Sequence, residues 1–105
     1  MSDEQDPHGP QMAPVDRIGT VNGTLLHLMV DGRPASFESR SLPPSALAPP
    51  HVEYLLQALP AGWSLEVGEV APWFGQPGGA TQLFVLDGAG RKVRVADLLR
   101  IGVLA

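Results

Sequence analysis

Eleven prolines and twelve glycines punctuate a chain of 105 residues, and they are spread along its length. Proline fixes φ and offers no N–H to a helix or a strand ladder, and glycine marks turns that need positive φ. Between such breaks no element can run far. The sequence therefore predicts short strands, many turns and little helix. The length suits one domain. Apolar residues make up 44%, enough for one modest core. No run reaches the roughly 18 apolar residues of a membrane span, so no membrane partner is expected.

Charge is unevenly placed. Asp3, Glu4 and Asp6 lie in the N-terminal stretch MSDEQDPHGP, and the first basic residue is Arg17. From Asp16 onward eight acids face seven bases, so this part is nearly neutral although the whole chain carries −4. A nucleic-acid binder needs a basic face, and none is expected. The cluster Arg91, Lys92 and Arg94 reads as a solvated strand face. With no cysteines, disulfides and thiolate chemistry are excluded. The acidic N-terminus lacks the apolar stretch of a signal peptide. The expectation is a cytoplasmic protein, or one exported by a specialised route.

Residues 1–14 are polar and proline-containing and are expected to form a disordered tail, with the domain over 15–105. TLLHLMV at 24–30 is a candidate strand. The DGR turn that follows predicts a hairpin to a short strand at 35–37. Four prolines surround a possible turn at 45–48. HVEYLLQAL at 51–59 stays ambiguous. Val52, Tyr54 and Leu56 alternate as in a strand, whereas Leu55, Leu56 and Leu59 fit one helix face. Residues 64–70 and 81–86 read as strands. DGAG then turns the chain into a hairpin partner at 92–95. A short helix is expected at 96–101, with Gly102 at its C-terminal end. The fold class is α+β: a small, mostly antiparallel sheet domain with little helix.

No phosphate-binding loop, HExxH or CxxC is present. His8, His27 and His51 are too scattered for a metal site, and no metal or cofactor is expected. His27 lies mid-strand among leucines. Polar residues at loop–strand junctions remain: Arg17, Arg40, His51 and Gln82. Two arginines beside turns offer forked donors to phosphate oxygens, although either one taken alone reads first as a surface arginine. Gln82 either closes a loop or faces a cleft. In APWFGQPGGATQLFVLD, the rings of Trp73 and Phe74 either fold back on the core or line a pocket.

DRIG, ESRSLPPS, HVEYLLQALP, APWFGQPGGATQLF and VADLLRIGVL, in that order, resemble the tuberculosis necrotizing toxin (TNT) family over nearly the whole folded part. PWFGQPGGATQ is the specific element. The resemblance implies a compact sheet related in layout to reduced ADP-ribosyltransferases. It implies an enzyme, an NAD(P)+ glycohydrolase that cleaves the nicotinamide–ribose bond, as a toxin or effector module with an immunity protein as partner. The dinucleotide is then substrate, not cofactor. Gln82, Arg40 and His51 are the implied catalytic residues. Arg17, Trp73, Phe74, Gly78 and Gly79 are the implied substrate-binding residues, with Arg17 and Arg40 clamping the pyrophosphate. Ile18, Leu25 or Leu26, and Leu83 stand where family members carry aromatic rings. These departures favour a second reading: a weak or inactive module of the same fold that binds a nucleotide or a protein.

Overall fold

The computed structural model describes residues 13–42 and 50–105. The turn expected at 45–48 and the first twelve residues of the tail lie outside them. Five strands form one sheet: β1 (Ala13–Ile18), β2 (Leu26–Leu28), β3 (His51–Leu56), β4 (Ser64–Glu69) and β5 (Thr81–Leu86). Their order is β3-β1-β2-β5-β4, and every pairing is antiparallel. One six-residue helix, α1 (Val95–Arg100), follows. The expected class of small antiparallel sheet with little helix is what the chain forms.

Strand alternation divides the sheet into two unlike faces. Val15, Leu26, Tyr54, Leu56, Leu83 and Val85 point to one face and are all buried. Val95 and Leu98 of α1, with Val103 and Leu104 beyond it, cover that face and complete the core. A six-residue helix is too short to hold itself together in water. Val95 and Leu98 are fully buried, and each such side chain contributes about 1.5–3 kcal/mol to docking α1. Gly102, at φ 83, ends the helix and lets the chain return to β3, where Gln57 N–H donates to Val103 O and Ala105 N–H to Leu55 O.

The ambiguity at 51–59 resolves as a strand over its first six residues. Pairing with β1 buries Tyr54 and Leu56 together, whereas the helical face would have left Tyr54 outside.

Two expectations fail. Residues 35–37 form no strand. Val30 and Arg33 make a single bridge around Asp31 (φ 53) and Gly32 (φ 73), and Pro34 then has no N–H for a ladder. Ser36 Oγ accepts the Ser39 N–H at 3.2 Å, and Ser39 Oγ donates to Ser36 O at 2.8 Å. These local bonds favour a helical turn over a strand, and the chain forms a 3-10 helix at Glu38–Arg40. The hairpin partner expected at 92–95 shrinks to one bridge, Leu86 with Lys92, because Val95 is drawn into α1. The turn before it is held by Asp87, whose Oδ1 accepts the N–H groups of Ala89 and Arg91. Those bonds, Arg91's first, keep its carboxyl below the usual range.

Candidate active site

The second face of the sheet carries a polar row. Glu53, Asp16, His27, Gln82 and Gly68 stand opposite one another across all five strands. Asp16, second in this row, is fully buried. A buried carboxylate persists only if charge and lone pairs are met. Arg40 meets both. Its Nη1 donates to Asp16 Oδ1 at 2.9 Å and its Nη2 to Oδ2 at 2.6 Å. Nε and Nη2 of Arg40 also donate to Ala35 O. All three guanidinium nitrogens are thus engaged and the residue is 2% exposed. Ser41, at φ 50, closes the 3-10 helix that delivers Arg40.

His51 adds a third hydrogen bond, its Nε2 lying 2.8 Å from Asp16 Oδ2. An ionised carboxylate only accepts, so Nε2 carries the proton and Nδ1 is the basic nitrogen of the neutral ring. The His51 side chain is 38% exposed, so that nitrogen belongs to a ring within reach of solvent.

His27 is 2% exposed, and among the described residues neither ring nitrogen has a hydrogen-bond partner. Burial pushes its pKa down from 6.5 to about 4. Arg40 and Arg17 push the same way, and Asp16 opposes them. The ring is neutral in the folded protein. Gln82, next in the row, is half-buried, and its side-chain amide makes no hydrogen bond among the described residues. Phe84, two residues on and on the same face, lies under Lys92, whose Nζ sits 3.7 Å from the ring centroid.

Of the expected site residues, Gln82, Arg40 and His51 are brought to this face around Asp16 and His27. Arg17 is not. It alternates to the core-facing side of β1, opposite Val52. Its Nε donates to Thr20 O at 2.6 Å and its Nη1 to Leu25 O at 3.0 Å. A Cβ at Gly23 would lie 1.9 Å from Arg17 Nη2, so a side chain there would displace the guanidinium from this position. The expected clamp of Arg17 and Arg40 on a pyrophosphate is therefore corrected. The two guanidiniums belong to opposite faces, and each is committed to partners of its own.

Trp73 and Phe74 do not fold back on the core. They are 66% and 52% exposed, packed edge to face with centroids 5.6 Å apart. They cap a tight turn in which Trp73 and Gln76 exchange both backbone bonds. Phe74 (φ 53) and Gly75 (φ 71) occupy its left-handed centre, a strained position for a bulky residue. The loop behind them docks on the 3-10 helix, with Gly78 N–H donating to Glu38 O and Ala80 N–H to Ser39 O. A Cβ at Gly78 would lie 2.4 Å from Val70 O, so this glycine serves the loop's own packing. Gly79 faces open space.

Asp16 and His27 are the residues that the sequence reading did not place in the site. The available signal was local: His27 interrupts an otherwise apolar strand, and Asp16 follows the buried Val15, which is where packing rules are broken for a purpose.

A family model, Tuberculosis necrotizing toxin, matches residues 10–105. The chain is 45% identical over 97 residues to the outer membrane channel protein CpnT of Mycobacterium tuberculosis, and equally to that of Mycobacterium bovis. The match takes in 92% of this chain and spans 11% of those relatives' length. Among solved structures, tuberculosis necrotizing toxin complexed with its immunity factor IFT superposes with a TM-score of 0.86 at 38% identity, covering 95% of this chain and 56% of that one.

Proposed function

The chain belongs to the tuberculosis necrotizing toxin family, and from that premise we propose that it is an NAD(P)+ glycohydrolase acting on the polar face of its sheet. The observation that carries the reading is the position of Gln82. It stands on the polar face one strand beyond His27 from a buried Asp16–Arg40 pair, from which a half-exposed His51 is held.

The chemistry suits a site without metal. Nicotinamide leaves as a neutral ring when the C1′–N bond breaks, because its electron pair cancels the pyridinium charge. The departure needs no proton. The ribose passes through an oxocarbenium-like state, as in glycoside hydrolysis generally. Gln82 Oε1 is suited to accept from a ribose hydroxyl or from the attacking water. His51 Nδ1 takes the proton as the new C1′–O bond forms, and Asp16 steadies the resulting imidazolium. Arg40 acts behind Asp16 and does not touch substrate. Trp73 and Phe74, exposed beside the loop that leads to Gln82, offer rings to a base or to nicotinamide. The bare Cα of Gly79 leaves room for a ligand.

The second reading, a binding module without turnover, rests on the missing aromatic residues. Leu83 gives it no support, since that side chain is buried in the core away from the polar face. Ile18 does, because it alternates to the polar face directly opposite His51. A protein partner fits either reading. By likeness to the toxin held by its immunity factor, an immunity protein is proposed for this chain. The described residues hold no helix long and apolar enough to cross a membrane. Export as part of a larger assembly is proposed from the channel-protein relatives.

Incubating purified protein with NAD+ and measuring free nicotinamide tests the reading. Release by the parent, lost in Gln82→Ala with an unchanged melting temperature, is expected. A Gln82→Ala protein as active as the parent would sink the assignment of the site.

A further inference from the structure

His27 takes no part in the mechanism above, yet it holds the centre of the row between Asp16 and Gln82. It is almost completely buried, and both its ring nitrogens lack partners among the described residues. Buried polar atoms in folded proteins are nearly always paired, so two orphans on one ring need a reason. The two flanking residues offer one. Asp16 already receives three hydrogen bonds, from Arg40 Nη1, Arg40 Nη2 and His51 Nε2, against about four acceptor positions on a carboxylate. Gln82 makes none with its side chain among the described residues. Directly opposed residues on neighbouring strands hold their Cβ atoms about 4.5–5.5 Å apart, within reach of a glutamine amide that turns about its own torsions.

We propose that His27 is a positioning residue for Gln82, its basic ring nitrogen accepting a hydrogen bond from the Gln82 Nε2 amide while the other ring N–H points to the remaining acceptor position of Asp16. The bond fixes which end of the amide faces outward. With the NH2 group tied to His27, Oε1 is the atom presented to the ligand, and an acceptor there is what a ribose hydroxyl or a water requires. An untethered glutamine flips between its two faces and presents the wrong one for part of the time. Asp16, His27 and Gln82 thus form one line of hydrogen bonds across three strands, with His51 and Arg40 anchored at its far end. The functional consequence rests on the glycohydrolase reading; the His27–Gln82 bond itself does not.

The test uses the full chain with His27→Leu and His27→Gln. Leucine fills the space and removes an unsatisfied buried group, so folding should hold or improve. Glutamine restores a side chain able to accept from Gln82. In 15N-labelled protein without ligand, the two amide protons of Gln82 should be well separated and should show contacts to the His27 ring. In His27→Leu they should collapse toward free-glutamine positions, and in His27→Gln they should recover. Nicotinamide release should show kcat lower by about 10–100-fold in His27→Leu with KM little changed, and partly restored in His27→Gln. Gln82 amide resonances that are the same in parent and His27→Leu, or a kcat equal to the parent's, overturn the proposal. If no variant or parent releases nicotinamide, the glycohydrolase reading fails, and the amide resonances still decide the bond.

Discussion

His27 should make folding stability depend on pH in a window of its own. In the unfolded chain the ring titrates near 6.5, and in the folded protein at about 4. Burial is the main cause. Arg40 and Arg17 add repulsion, and Asp16 opposes them. Above pH 6.5 both states hold a neutral ring and stability is full. Between 6.5 and 4 only the unfolded chain takes up the proton, so stability falls with pH, with a limiting slope of about 1.4 kcal/mol per pH unit and a total of about 3 kcal/mol. Below 4 the folded ring is protonated too, and the loss levels off. Asp87 and Asp97 also have lowered pKa values, through hydrogen bonds from Arg91 and Arg94 respectively, but they start from 3.8 and act below this window. Asp16, Arg40, Arg17, Glu53 and His51 remain in a His27→Leu protein, so the difference between the two pH curves isolates the ring. Urea unfolding at pH 7 and pH 4.5 should show the parent losing about 2–3 kcal/mol more than His27→Leu. Parallel curves would refute the burial of a neutral imidazole at the centre of the sheet.

Asp16→Asn leaves the buried Arg40 charge without its carboxylate. It should cost about 3–5 kcal/mol in urea unfolding, and nicotinamide release should fall because His51 loses its anchor. Gly78→Ala should lower the melting temperature clearly more than Gly79→Ala. Both positions need positive φ, which costs about 1–2 kcal/mol for an L side chain. Only at Gly78 would the new Cβ meet backbone, at 2.4 Å from Val70 O.

Strand content was legible where alternation was strong. Leu65 and Val67 announced β4, and the apolar run TQLFVL announced β5. The segment after Arg33 was misread because Pro34 and the Ser36–Ser39 bonds outweigh the turn signal before them. Gln82 was legible through its motif. Arg40 was legible as an arginine beside a turn but not in its partner, since nothing local indicates that a carboxylate 24 positions earlier will be buried against it. Which face of a strand carries a side chain follows from alternation, but which strands meet does not. The row of Asp16, His27 and Gln82 exists only once β2 is seated between β1 and β5. Arg17 was open to correction from the sequence alone, because it shares its parity with the apolar Val15.

The most direct test of the account is hydrolysis of NAD+ by the purified protein in 18O-labelled water, with products read by mass spectrometry. Attack of one water at C1′ predicts unlabelled nicotinamide and ADP-ribose carrying a single 18O at the anomeric hydroxyl, both absent with Gln82→Ala. NAD+ that persists unchanged at high concentrations of folded parent protein would contradict the account and leave a binding module in its place.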